Sequence, residues 1–148
     1  MKGGAPMISF VSQCTADTEA FAEKIAKKLT GGTVIAFFGG LGAGKTSFTR
    51  GIARGMGIKA DVSSPTFAIV NDYGGKPPLV HFDMYKVETW DDLYSSGFFD
   101  YLDMGAVLAV EWSENIENAL PEGTVRVTIE KCEDENKRII TVEGLDTV

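Results

Sequence analysis

Apolar residues along this chain follow two different periods. Between residues 15 and 30, Phe21, Ala22, Ile25, Ala26 and Leu29 recur three and four positions apart, the spacing of one helix face. Thr15 can serve as that helix's N-cap, and Asp17 and Glu19 place acid in its first turn, where the helix dipole favours it. Lys24, Lys27 and Lys28 lie off the apolar face, and Gly31-Gly32 stops the helix. Residues 33–38 (TVIAFF) are apolar without alternation and rich in β-branched and aromatic side chains, as in a strand covered on both faces. A second helix is predicted over residues 45–56, with Phe48, Ile52 and Met56 four apart. Gly51 and Gly55 each weaken it by about 1 kcal/mol relative to alanine, and close packing on a sheet is the expected reason for their presence.

The remaining pattern is richer in strands. Residues 7–11 read as a short strand after a loose end at 1–6. Residues 66–73 and 79–85 read as strands joined by the turn Gly74-Gly75-Lys76-Pro77-Pro78, a possible hairpin. Residues 90–102 are weakly helical and broken near Gly97, residues 106–110 form another uniformly apolar strand, and two late strands are predicted at 124–131 and 138–142 after a turn at Pro121-Glu122-Gly123. A strand–helix–strand opening with a strand-rich end predicts an α/β fold: three α/β/α layers around a mixed, mostly parallel sheet.

Composition narrows the function. At 148 residues the chain is one domain, 1–148, and 44% hydrophobic content is enough for a packed core. A net charge of −7 argues against a surface that grips nucleic acid unaided. Cys14 and Cys132 are too few for a disulfide scaffold and read as buried or idle thiols in a reducing compartment. A single histidine, His81, and no Cys-x-x-Cys pair argue against structural zinc. No signal-peptide core is visible in the first residues, and the longest apolar runs fall far short of the roughly 20 residues that span a bilayer, so a cytoplasmic location is expected.

Chemistry concentrates in Gly39-Gly40-Leu41-Gly42-Ala43-Gly44-Lys45-Thr46, which matches the phosphate-binding string G-x-x-x-x-G-K-[ST]. It lies between a buried strand and a helix, as its mechanism requires. Glycines let backbone N–H groups wrap phosphates, and the helix start adds unsatisfied donors. Lys45 reaches the β- and γ-phosphates of a nucleoside triphosphate, and the Thr46 hydroxyl ligates Mg²⁺. Such a loop needs an acid at the end of a nearby strand. The runs ending in Asp83 and in Glu111 both supply one. Either can hold the ion, directly or through water, while the other positions the attacking water. The more uniformly apolar run slightly favours Glu111. His81 reads equally as a packed strand residue or a catalytic base, Trp112 more readily as core than as a nucleotide contact, and Arg50, Arg54 and Lys59 as a solvent-facing helix side. No Asn-Lys-x-Asp string is present, which disfavours GTP.

Four strings taken together, GGLGAGKTSFTRGIARGMG (39–57), SSPTFAIVNDY (63–73), HFDMYK (81–86) and AVEWSE (109–114), resemble the TsaE family, formerly YjeE, over about residues 12–130. These are small bacterial P-loop ATPases needed for threonylcarbamoyladenosine in tRNA. The resemblance implies a P-loop NTPase fold, with ATP and Mg²⁺ as ligands and residues 39–46 as nucleotide binders. It makes Lys45, Asp83 and Glu111 the catalytic set. Glu111 corresponds to the family's magnesium-associated glutamate, with Thr46 as the other metal contact. Trp112 follows it as a nucleotide-site residue, and Asp83 is the candidate for activating hydrolysis. Thr18 falls where the family has a threonine near its N-terminal nucleotide-binding segment, and Ser64-Pro65-Thr66 resembles a nucleotide-sensing switch. The implied partners are the TsaD and TsaB proteins, which modify adenosine 37 and hold the tRNA, so that tRNA is met only indirectly and no membrane is involved. Two positions depart from the pattern. Gly40 replaces an acidic residue, and Lys86 replaces an arginine, which loses a planar fork. Rival readings are a small-molecule kinase, disfavoured because no arginine-bearing lid is evident, and a nucleotide-dependent scaffold without hydrolysis.

Overall fold

The computed structural model describes residues 7–38, 44–59, 62 and 70–145. Seven strands form one sheet in the order β1-β7-β6-β2-β5-β4-β3: β1 (Met7–Ser12), β2 (Val34–Phe38), β3 (Val70–Gly75), β4 (Pro78–Asp83), β5 (Val107–Glu111), β6 (Val125–Lys131) and β7 (Arg138–Glu143). The central strands β6, β2, β5 and β4 run parallel, while β7, β1 and β3 add antiparallel pairings at the edges. This is the mixed sheet expected. The β3–β4 pair is the anticipated hairpin.

Side chains on a strand alternate between its two faces, and both faces of the central strands are covered. Ile35, Phe37, Leu79, Val107 and Val127 pack with α1 (Thr15–Ala26) and α2 (Lys45–Gly55). Val34, Val80, Phe82, Leu108 and Val110 pack with α3 (Trp90–Ser95), α4 (Phe98–Asp103) and a 3₁₀ helix, Ser113–Ala119. The result is three layers, α/β/α. Strands β2, β5 and β4, mostly apolar, sit in the middle of the sheet, where both faces are dry.

Several local expectations change. The N-cap of α1 is Cys14, with extended backbone, and Thr15 is already helical. No side chain caps that end. Instead the Asp17 carboxylate accepts the Gln13 N–H at 2.9 Å. Gly51 and Gly55 face α1 rather than the sheet. A Cβ on Gly55 would lie 2.6 Å from the Ala26 Cβ and 2.6 Å from the Glu23 carbonyl oxygen, and one on Gly51 would lie 2.7 Å from the Ala22 Cβ. The two glycines let the helices approach more closely than any side chain permits. Arg50 and Arg54 stay on the solvent side, as expected, and from there both pair with Glu19 on α1. Of the two alternatives for the thiols, burial does not hold: Cys14 is exposed and Cys132 half-buried, and both are free. The break expected near Gly97 is real: Gly97 takes φ +89° between α3 and α4. Among the described residues no helix is long and apolar enough to cross a membrane.

Candidate functional site

The carboxyl ends of β2, β5 and β4 lie side by side, and the predicted site residues gather there. Gly44 adopts φ +111°, a left-handed conformation that strains any residue with a Cβ, and so turns the chain into α2. Lys45 and Thr46 open that helix. Residues Gly39, Gly40, Leu41, Gly42 and Ala43, with Ser64-Pro65-Thr66, lie outside the described residues.

Lys45 is buried, at 6% exposure, a cost for a cation that a specific partner must offset. Its Nζ stands 5.7 Å from the centroid of the Trp112 ring, within cation–π range. Trp112 is placed there by the backbone: at φ +59° it is the one non-glycine with positive φ among the described residues. A left-handed turn on a bulky residue costs about 1–2 kcal/mol, and here it swings the indole beneath the lysine directly after Glu111. Tyr85 closes on the same ring edge-on at 4.8 Å. Trp112 is therefore neither pure core nor free surface. The segments that leave β4 and β5 are stapled together: Asn115 Nδ2 donates to the carbonyls of Met84 (2.8 Å) and Tyr85 (3.2 Å), and Met84 N–H donates to the Glu111 carbonyl (3.0 Å).

Strand register brings the two acids together. Asp83 on β4 is opposite Glu111 on β5, and His81 is opposite Ala109. By the strand period these residues share the face that carries α1 and α2. Asp83 is half-buried, and its Oδ1 accepts the Tyr85 N–H at 2.9 Å. Glu111 is buried, at 7% exposure, and its Oε2 lies 2.6 Å from His81 Nε2. Among the described residues no lysine or arginine nitrogen comes within 4.0 Å of the Glu111 carboxylate, and its Oε1 has no hydrogen bond. A carboxylate this buried, with no lysine or arginine beside it, is costly unless a cation completes it. Oxygen donors of this kind, with the half-buried Thr46 beside the same helix start, suit Mg²⁺, which takes one or two protein ligands and leaves the rest to phosphates and water. The residues present fit the ion.

Thr18 is buried on α1, and its hydroxyl shares a 2.7 Å hydrogen bond with Ser12 Oγ. It forms part of the wall of a cleft of about 80 Å³ that also touches Gly44, Ser47 and Asn136. Lys86 is exposed. The sequence reading left His81 undecided and did not single out Tyr73, whose hydroxyl lies 3.3 Å from His81 Nδ1. No local pattern marks Tyr73, because its role depends on which strand β3 pairs with.

Known proteins extend these observations. The family described as "Threonylcarbamoyl adenosine biosynthesis protein TsaE" matches residues 12–140. A protein of Treponema pallidum named tRNA threonylcarbamoyladenosine biosynthesis protein TsaE is 33% identical over 129 residues, 87% of this chain and 96% of that protein. A Bacillus subtilis protein of the same name is 39% identical over 124 residues, 83% of this chain and 77% of its own length. The crystal structure of Bacillus subtilis YdiB superposes with a TM-score of 0.80 at 31% identity, covering 98% of this chain and 90% of that one. The layered mixed sheet is thus a P-loop NTPase fold of the same kind. Matched in sequence and in fold over most of its length, the chain belongs to the TsaE family.

Proposed function

We propose that this protein binds ATP at the start of α2, hydrolyses it with Mg²⁺, and uses that cycle to act on the TsaD–TsaB pair during formation of the threonylcarbamoyl group on adenosine 37 of tRNA. The observation that carries the reading is the seat of Lys45, at the head of α2, over the ring of Trp112, the residue that directly follows the buried acid Glu111 at the end of β5. Family membership supports the ATP-binding role and the link to tRNA modification.

In this reading residues 39–44 wrap the phosphates with backbone N–H groups, and the helix start adds positive potential. Lys45, held against Trp112, sets a charge on the transferred phosphate. Thr46 and Glu111 hold Mg²⁺, which supplies neutralisation of the phosphate oxygens. Asp83, opposite Glu111 and half open to solvent, positions the attacking water. Thr18 belongs to the wall of the nucleotide site through the cleft beside Gly44.

The arginines support a dependence on partners. Arg50 and Arg54 pair with Glu19 on α1, Arg126 pairs with Glu117 and covers the Phe38 ring, and Arg138 donates to the carbonyls of Glu135 and Lys137. These are all the arginines in the chain. Arg50, Arg54 and Arg126 are held by acids away from Lys45, while Arg138 borders the cleft beside Gly44; three of the four are thus committed elsewhere and not poised as a finger, a device worth about 10³–10⁵ in rate where GTPases use it. The same observation disfavours a kinase with an arginine lid. Slow turnover by the protein alone is expected, in the cytoplasm and elsewhere, until the partner pair supplies or orders what is missing. Steady-state phosphate release by the protein alone and with TsaD and TsaB tests this. A rate that changes with the pair supports the reading. Fast turnover alone, indifferent to them, refutes it.

A further inference from the structure

His81 is the chain's single histidine and is fully buried, on a strand flanked by Val80 and Phe82. An imidazole in such a place is costly unless both nitrogens find partners. Both do: Nε2 meets Glu111 Oε2 at 2.6 Å, and Nδ1 meets the Tyr73 hydroxyl at 3.3 Å. An ionised carboxylate offers only acceptors, so Nε2 carries the hydrogen and donates it to Glu111. Nδ1 of the neutral ring then accepts from the Tyr73 O–H.

The strands make this geometry possible. His81 is opposite Ala109, whose methyl group leaves room, and the imidazole reaches two residues further along β5 to Glu111. Tyr73 comes from the other side, on β3, which pairs with β4. Three adjacent strands therefore contribute one residue each to a line of hydrogen bonds that ends on the acid directly before Trp112, the ring that Lys45 rests against.

We propose that His81 is a positioning residue: it fixes Oε2 of Glu111 so that Oε1 is presented to the magnesium ion, while Tyr73 holds the ring in the tautomer that can do so. This inference rests on the magnesium role given to Glu111 above. Partners that orient a ligating carboxylate are worth about 10–100-fold in metal affinity or activity when removed.

The test has two arms. In the first, Mg²⁺ is titrated into ADP-bound protein on a Trp90→Phe background, leaving Trp112 as the sole tryptophan reporter. His81→Leu is expected to raise the Mg²⁺ half-saturation about 10–100-fold with metal-free ADP affinity unchanged. His81→Gln, whose amide N–H can reach the position of Nε2, restores most of the loss, and the shorter His81→Asn does not. That comparison stands even if His81→Leu fails to fold. In the second arm, ¹⁵N spectra of the nucleotide-free protein read the one histidine directly. A protonated Nε2 is expected, and its hydrogen exchanges faster in Glu111→Ala. An unprotonated Nε2, or a folded His81→Leu with wild-type Mg²⁺ half-saturation, overturns the proposal. Failure of the wild-type protein to bind ADP or ATP refutes the ATPase reading instead, and the spectra still decide the hydrogen bond.

Discussion

Replacing Lys45 by alanine isolates the charge on which the proposed chemistry depends. Its ammonium is buried, has no carboxylate partner among the described residues, and rests against Trp112. Two unit charges about 4 Å apart at an effective dielectric near 20 interact by about 4 kcal/mol. At about 1.4 kcal/mol per decade this is a loss of roughly three decades in turnover per bound nucleotide. The folded state loses far less, because a cation–π contact is worth about 0.5–2 kcal/mol. For a chain of this length each kcal/mol moves Tm by about 2–4 °C. Phosphate release at saturating Mg-ATP, fluorescent-nucleotide binding and a thermal melt together separate the two effects. Lys45→Arg keeps the charge but brings a broader head into the slot beside the indole, and is expected to fall between wild type and alanine. A folded Lys45→Ala protein with turnover within tenfold of wild type refutes the reasoning.

Other perturbations probe separate parts of the structure. Glu111→Gln keeps shape and removes charge, so it should depress Mg²⁺-dependent turnover while leaving metal-free ADP binding nearly intact; equal losses with and without Mg²⁺ count against the metal role. Gly55→Ala should destabilise by about 1–3 kcal/mol in a denaturant melt, despite alanine's better helix propensity, because its Cβ would press on Ala26 and the Glu23 carbonyl; a stabilised variant contradicts the close approach of α1 and α2. Free tRNA should bind no more tightly than the micromolar range of non-specific contacts at physiological salt, given the net charge of −7, and fluorescence anisotropy with labelled tRNA checks this.

Most of the secondary structure was legible because its causes are local. Helix and strand periods depend on residues at most four apart, so α1, the buried strands β2 and β5, the break at Gly97 and the helix start at Lys45 could be read directly. The candidate acids were legible for the same reason, each ending an apolar run. Helix α1's cap was misread by one residue because Cys14 carries no side-chain cap and the acidic first turn works through Asp17 and Gln13.

What the amino-acid order determined by itself was the list of chemical parts: a phosphate-binding string between strand and helix, two strand-end acids, and a net charge of −7 that argues against gripping nucleic acid unaided. Tertiary structure decided how those parts meet. Parallel pairing of β4 with β5 puts Asp83 opposite Glu111 and lets His81 reach it, although 30 residues separate that histidine from the glutamate in sequence. The crossing of α1 and α2 gives Gly51 and Gly55 a helix as neighbour instead of the sheet, and lets the solvent-facing Arg50 and Arg54 pair with Glu19. Register and helix contacts are set by burial of the whole core, and a one-residue slip would turn every strand side chain to the opposite face. No local pattern along the chain encodes that choice, which is why the site's members were readable singly and their contacts only in the fold.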